Sequence, residues 1–318
     1  MLNRKNKLLL MKIISLFSVI RGYNIPVIIL AQYLSAIFIL APTNVRTLDI
    51  VLDWRLLVLV LASAISIASG YIINNFYDSE KDLINRPHKS TLDRLVRQKT
   101  KLQVYFTLNF VVVLMAFLIS WRVALFYSIY IFLIWFYSHK LKKYPIVGNI
   151  TAALLTVLPF FGLLVYFYKK DPNGELEVIQ TGIIYAHGFF LILLLLIREL
   201  IKDLENLTGD FANNYKTIPV VYGETTSKTV ITLLTILAFV PVYILIEVFD
   251  VGYMDIYFYI CLGVLLIIVW GVWHAKSKAQ YVLIHNTLKI LIVAGVFSIA
   301  LIDPAVLWHG KKILLHNI

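Results

Sequence analysis

The sequence predicts an all-α, polytopic membrane protein of nine transmembrane helices, in one domain spanning residues 1–318. Three observations lead there. The chain is 60% apolar and only 15% charged, whereas soluble domains run at about 45–50% and about 25%. A protein of 318 residues cannot shelter that much apolar surface from water, but a bilayer can. Nine apolar runs approach the roughly 20 residues that a helix needs to cross a bilayer. The basic residues fall between those runs in an alternating pattern. Together these exclude a soluble enzyme, a disordered chain, a disulfide scaffold and a collagen-like fibre.

In chain order the runs cover residues 14–41, 56–77, 102–120, 123–137, 146–168, 179–200, 230–249, 254–274 and 288–307. The first follows a basic segment, as in a signal peptide. Arg21, Tyr23 and Asn24 interrupt it and no small-residue cleavage site follows, so it is expected to be a retained span. The fourth is short, and only Trp121-Arg122 separate it from the third. The long polar loops 78–101 and 202–227 are poor in Gly and Ser, unlike linkers. With the N-terminus in the cytoplasm, the inner segments hold 22 of the 29 Lys and Arg, as the positive-inside rule expects. This map puts the C-terminus outside and both long loops on the cytoplasmic side. The net charge of +11 forms no single patch of the kind nucleic-acid binding needs. Cys261 is the sole cysteine, so there is no intramolecular disulfide or cysteine metal cluster, and a small buried hydrophobe is the expectation. The sequence sets no oligomeric state.

Chemistry-bearing residues gather at two span ends. After the second run, Asn74, Asp78 and Asp82 recur every four residues, with Asn85 following and Pro87 ending the helix. This spacing stacks the three on one helical face. After the sixth run, Glu199, Asp203, Asn206 and Asp210 follow at intervals of four, three and four, again on one face. Leu200, Ile201, Leu204 and Leu207 take the packing side, and Glu205 is expected to be solvated. An oxygen-only donor set suits magnesium, which takes one or two carboxylates plus water and substrate phosphate. For either face alone, the plain alternative is a polar helix end at the membrane border. Two such faces on one side of the membrane repel unless cations lie between them. Magnesium with a diphosphate fills that role economically. Arg21, Arg86, Lys142, Lys202 and Lys216 are candidates for the diphosphate's outer oxygens. Lys216 is favoured because Lys216-Thr217-Ile218-Pro219 follows the second acidic face at once. The alternatives are snorkelling for Arg21, topology signals for Lys142 and Lys143, and pairing within its own helix for Arg198.

These residues resemble the UbiA superfamily of intramembrane prenyltransferases. Asn74, Asp78 and Asp82 are similar to its NxxxDxxxD motif, and Arg21-Gly22-Tyr23-Asn24 to its N-terminal Arg-x-x-Asn signal. The run from Tyr137 through Lys142 to Pro145, with Gly148-Asn149, is similar to the segment after its fourth span. The nine spans agree. The second motif, from Arg198-Glu199 through Lys202-Asp203, Glu205-Asn206 and Gly209-Asp210 to Lys216, resembles the branch that transfers geranylgeranyl groups to geranylgeranylglyceryl phosphate. One departure stands out: Asn206 occupies a position where the family usually has Asp, and Asp203 is placed to supply the missing charge.

The resemblance implies a magnesium-dependent prenyltransferase with Asp78, Asp82, Asp203 and Asp210 as catalytic residues. It implies a metal set of Asn74, Asp78, Asp82, Glu199, Asp203, Asn206 and Asp210. Arg21, Asn24, Asn74, Asn85, Arg86, Tyr137, Lys142, Arg198, Lys202 and Lys216 would contact diphosphate or acceptor. The donor would be an allylic prenyl diphosphate, and departure of its diphosphate would leave an allylic cation in a dry, aromatic-lined chamber. The acceptor implied by the branch is geranylgeranylglycerol phosphate, in ether lipid synthesis. An aromatic acceptor, as in quinone synthesis, is the alternative. A transporter is disfavoured because the acids sit at span ends rather than at mid-membrane, and a non-catalytic prenyl-lipid binder is the third possibility.

Overall fold

In the computed structural model, residues 4–41, 45–170 and 178–302 are described, and they contain helices and loops but no strand. The chain opens with α1 (Arg4–Val19) and then breaks at Arg21, whose backbone is left-handed (φ 49, ψ 50). A single turn, Gly22–Asn24, leads into α2 (Ile25–Ser35), which carries a proline in its first turn and widens into a π-turn at Ala36–Leu40. The sequence-based first span thus holds two helices, and the membrane-length segment is Gly22–Leu40.

The short α3 (Thr47–Val51) precedes α4 (Trp54–Asn85), whose 32 residues begin at an Asp53 cap. At 1.5 Å per residue α4 is about 48 Å long, well over the roughly 30 Å of a bilayer's hydrocarbon core. Its polar last turns are therefore carried past the apolar layer. Arg86 ends α4, and α5 (Pro87–Asp93) restarts at the proline. Then come α6 (Gln98–Ile119) and α7 (Trp121–His139). One residue, Ser120, separates them, and its hydroxyl accepts from the Val123 backbone N–H at 3.3 Å. That cap gives α7 19 residues, longer than the short fourth run.

The second half runs α8 (Val147–Lys170), α9 (Val178–Glu205), α10 (Leu207–Ala212), α11 (Ile218–Tyr222), α12 (Glu224–Leu237), α13 (Phe239–Tyr243), α14 (Asp255–His274) and α15 (Lys278–Ser298). Among the described residues, nine helical segments are long and apolar enough to cross a membrane. The last corrects the expected boundary: it spans Lys278–Leu301, ten residues earlier than predicted. A capping box at Ser277 and Gln280 starts α15, and polar residues in its first turns, His285 among them, disguised them as loop. The predicted stretch 303–307 lies outside the described residues.

Successive long helices pack side by side, from α2 to α4, α7, α8, α9, α12, α14 and α15, and α15 returns to α2. This closes a ring. Its interior is apolar where Val157 and Leu163 of α8, Phe190 and Leu194 of α9, Phe258 of α14 and Ile292 of α15 line one cavity. The expected chamber is this space.

Several polar groups inside the ring are paired between helices, as a water-poor interior favours. Pro159 lies inside α8. A proline has no N–H, so the carbonyl four residues earlier loses its helical partner. Tyr130 Oη donates to that carbonyl, Leu155 O, at 3.0 Å. Gln32 Nε2 donates to Ser63 Oγ at 2.9 Å and to Pro159 O at 3.2 Å, tying α2 to α4 and α8. Tyr130→Phe should strand the Leu155 carbonyl and cost about 1–3 kcal/mol, read as a lower thermal midpoint of the detergent-solubilised protein than for the wild type.

Candidate functional site

The two acidic faces meet. A polar cavity at one end of the ring is lined by Asn74, Asp78 and Lys81 of α4, Tyr137 of α7, Lys142, Gly148 and Asn149 near the start of α8, Glu199, Lys202 and Asp203 of α9, and Asn206 and Thr217 beyond it. Helix spacing puts the α4 and α9 residues on one face each, and ring closure turns both faces inward.

Each carboxylate lining this cavity has a cation or amide partner. Lys142 Nζ lies 2.7 Å from Asp78 Oδ1 and donates to Asn74 Oδ1 at 3.1 Å. Tyr215 Oη also donates to Asp78, at 2.8 Å. Glu199 accepts from Arg198 at 2.6 Å and from Lys202 at 2.8 Å. Asn149 Nδ2 donates to Asp203 Oδ2 at 2.8 Å. Lys81 Nζ lies 3.0 Å from Asp210 Oδ1, an ion pair by distance, although neither Asp210 oxygen has a hydrogen-bond partner. Burial pushes the Asp210 carboxyl upward against the pull of Lys81. Burial and the neighbouring Asp78 charge raise the Tyr215 phenol, which keeps it protonated as a donor.

Several expected positions differ. The face from Glu199 to Asp210 is not one helix: α9 ends at Glu205, and Asn206 (φ −103, ψ 9) breaks the chain before α10. The break turns Asp210 toward Lys81 rather than into the cavity. Glu205, expected to be solvated, is buried; Arg86 reaches it at 3.1 Å and His285 Nδ1 at 2.8 Å. Lys216, expected to bind diphosphate, has an exposed side chain, and its backbone N–H donates to Lys143 O. Lys81 occupies the cavity instead. Asp82 is half-buried beside it and feels the charges of Asp78, Lys81, Arg86 and Arg21. Asn85 is buried against Gly209, where an added Cβ would lie 2.3 Å from Asn85 Oδ1. Arg21 stacks over the Tyr71 ring at 5.0 Å, and Asn24 Nδ2 donates to Tyr71 Oη at 3.3 Å.

Lys81, Tyr215, Asn149 and His285 were not marked as site residues from sequence. Two had a usable signal: Lys81 is one helical turn from both Tyr77 and Asn85 inside the first motif, and Asn149 belongs to the segment similar to the one after the family's fourth span. Asp93 shows the opposite case, an inner-side acid with a structural task. It accepts from Ser18 Oγ at 2.8 Å and Asn75 Nδ2 at 3.1 Å, fastening loop α5 to α1 and α4.

A divalent cation can be tested against this donor set. Among the described residues, no three of His, Cys, Asp and Glu already converge on one point. The donors are nevertheless oxygen-only and come from two facing helices, and Asn206 Oδ1 and both Asp210 oxygens are buried without hydrogen-bond partners. Such a set fits a magnesium ion that keeps waters and shares its shell with substrate phosphate.

Residues 29–306 match the UbiA prenyltransferase family. A digeranylgeranylglyceryl phosphate synthase of Thermococcus sibiricus is 33% identical over 241 residues, covering 73% of this chain and 79% of its own length. One from Methanobrevibacter smithii is 27% identical over 246 residues, covering 74% and 80%. Among solved structures, one described as giving insights into digeranylgeranylglyceryl phosphate synthase in membranes has a TM-score of 0.65 at 20% identity, over 91% of this chain and 97% of that one. A UbiA homolog from Archaeoglobus fulgidus bound to DMAPP and Mg2+ has a TM-score of 0.63 at 14% identity, over 90% and 98%. Both share this fold.

The pairing of Arg86 with Glu205 links the ends of α4 and α9 and is open to a double-mutant cycle. Arg86→Gln and Glu205→Gln should each lower the thermal midpoint, and the double variant should fall short of their sum by about 0.5–3 kcal/mol.

Proposed function

The chain belongs to the UbiA prenyltransferase family, and from that premise we propose that it transfers a prenyl group from an allylic diphosphate, geranylgeranyl diphosphate, to the hydroxyl of geranylgeranylglyceryl phosphate. The acceptor is the one implied by the names of the relatives from Thermococcus sibiricus and Methanobrevibacter smithii. One observation carries the reading: the polar cavity and the apolar chamber are stacked along α9. Glu199, Asp203 and Asn206 line the first, and Ile184 to Leu194 the second. From Phe190 to Asp203 is 13 residues, about 20 Å of helix. A long apolar tail with a diphosphate head matches that layout.

Asn74, Asp78, Glu199, Asp203 and Asn206 would hold magnesium from two sides, with Asp82 and Asp210 alongside. When bound, the ion supplies charge neutralisation for the departing diphosphate. Lys81, Lys142 and Lys202 stand in the same cavity, each against a carboxylate. They are placed to bind diphosphate oxygens and so stabilise the charge that develops as the allylic C–O bond breaks. The bonding pair leaves with the diphosphate. The acceptor oxygen then forms the new C–O bond and loses its proton. Tyr215 and Asn149 keep Asp78 and Asp203 oriented. The apolar chamber excludes the water that would quench the cation. The polar end would face the cytoplasm, since the loops there hold most of the inner Lys and Arg.

The decisive experiment incubates membranes bearing the protein with geranylgeranyl diphosphate and magnesium, offers geranylgeranylglyceryl phosphate and aromatic acids separately, and identifies product by mass. An ether product is expected; turnover only with the aromatic acids would overturn the acceptor, and no turnover with either would overturn the reading. Asp78→Ala and Asp203→Ala should each lower kcat/KM by about 100-fold or more. EDTA should abolish turnover and added magnesium restore it. Lys216→Ala should leave turnover unchanged.

A further inference from the structure

The first helix, α1, takes no part in the proposed reaction, yet its surface is patterned. Leu10, Ile13, Ile14 and Phe17 stand at intervals of three, one and three residues, which places them on one helical face. They are 46%, 57%, 48% and 55% exposed. Ser15 and Val19 lie on the opposite side of the helix and are buried. The apolar stripe therefore faces away from the protein. Lys7 and Lys12 fall on either side of the stripe and are exposed. With Arg4 and Lys5, α1 carries four basic residues, and the chain has no Asp or Glu before Asp49.

α1 is too short to be a span. Its apolar part is Leu10–Val19, about 15 Å of helix against a hydrocarbon core of roughly 30 Å. Nor does it continue the first span: α1 ends at Val19, Arg21 takes a left-handed backbone conformation, and the membrane-length segment starts at Gly22. Chain continuity thus keeps α1 at the membrane border. Side-chain hydrogen bonds fix it there. Ser15 Oγ donates to Leu92 O at 2.8 Å, and Ser18 Oγ donates to Asp93 Oδ1 at 2.8 Å. Both partners belong to α5, just beyond the polar end of α4. A border helix with an outward apolar stripe and basic flanks matches one lying in the interfacial plane. Its stripe enters the acyl boundary while the lysine stems reach out to the headgroups. Four positive charges with no acid nearby in the sequence favour acidic headgroups. A second copy packed on the same face would bring four more positive charges to the contact and be repelled.

We propose that α1 docks on acidic lipids of the leaflet at the protein's polar end, with Leu10, Ile13, Ile14 and Phe17 in the acyl boundary and Lys7 and Lys12 on the headgroups. The docking reaches the polar cavity through hydrogen bonds. Asp93, held by Ser18, also accepts from Asn75 Nδ2 at 3.1 Å, and Asn75 adjoins Asn74 in the cavity lining. Membrane contact at α1 steadies α5 against the first acidic face. This placement is independent of the reaction proposed above.

The test attaches an environment-sensitive fluorophore at Ile13→Cys of the full-length protein in nanodiscs. Cys261 is fully buried and does not compete for the label. Nanodiscs of phosphatidylcholine alone are compared with nanodiscs that also contain phosphatidylglycerol. Doxyl-labelled lipid should quench the probe, aqueous acrylamide should not, and lipid quenching should be greater with phosphatidylglycerol. Raising the salt from about 0.1 M to about 1 M shortens the screening length from about 10 Å to about 3 Å and should bring the two compositions together. Lys7→Gln combined with Lys12→Gln should also remove the difference. If Ile13→Cys is not recovered folded, Leu10→Cys carries the label and is read in the same way. Quenching by acrylamide in both compositions puts the stripe in water and overturns the docking. A probe reached by neither quencher is covered by protein, a second copy included, and overturns it too. Equal lipid quenching in the two compositions overturns the role of acidic lipid. None of these readings uses turnover, so each leaves the prenyl-transfer reading intact.

Discussion

The protein is organised around one electrostatic constraint: carboxylates from two membrane helices face each other where little water reaches. An isolated buried carboxylate is costly, and two facing ones more so. The structure meets that cost locally. Lys142 and Tyr215 answer Asp78, Lys81 answers Asp210, Lys202 and Arg198 answer Glu199, and Asn149 answers Asp203. Those partners come from α4, α9, α8 and the turn before it, and the segment after α10. The site therefore assembles only when distant segments are in register, and its chemistry is inseparable from ring closure.

The same arrangement accounts for the unusual lengths of two helices. α4 has 32 residues and α9 has 28, both more than an apolar layer needs. The surplus turns carry Asn74 to Asn85 and Glu199 to Glu205. Short segments then fold back on those ends. α5 is fastened through Asp93, and Asn85 packs on Gly209 of α10. Lys278 Nζ donates to Asn85 O at 2.7 Å, adding α15 to the same knot. A polar end tied this firmly to an apolar chamber suits a reaction that begins with charge separation and must continue without water.

How much of this could be read from the chain depends on sequence distance. The span count, the NxxxDxxxD face and the second acidic face use local periodicity, which is a property of one helix. They emerged from spacing alone. Glu205 was misjudged because its partners, Arg86 and His285, lie 119 and 80 residues away. Lys216 was favoured for its sequence neighbours, but its backbone bond to Lys143 leaves the side chain outside. The start of α15 was missed because its first turns carry polar residues whose partners are on other helices.

The sequence by itself determined that the chain is a helical membrane protein, that two of its helices end in oxygen-bearing faces, and which family those faces resemble. Composition and helical period suffice for this, because both act within about 20 residues. Only the tertiary structure decided which cation meets which carboxylate, that Asn206 breaks the second face, and that Lys81 meets Asp210 whereas Lys289 lies over the Tyr23 ring. Those outcomes depend on how the ring closes, and the closure is set by packing among helices far apart in the chain.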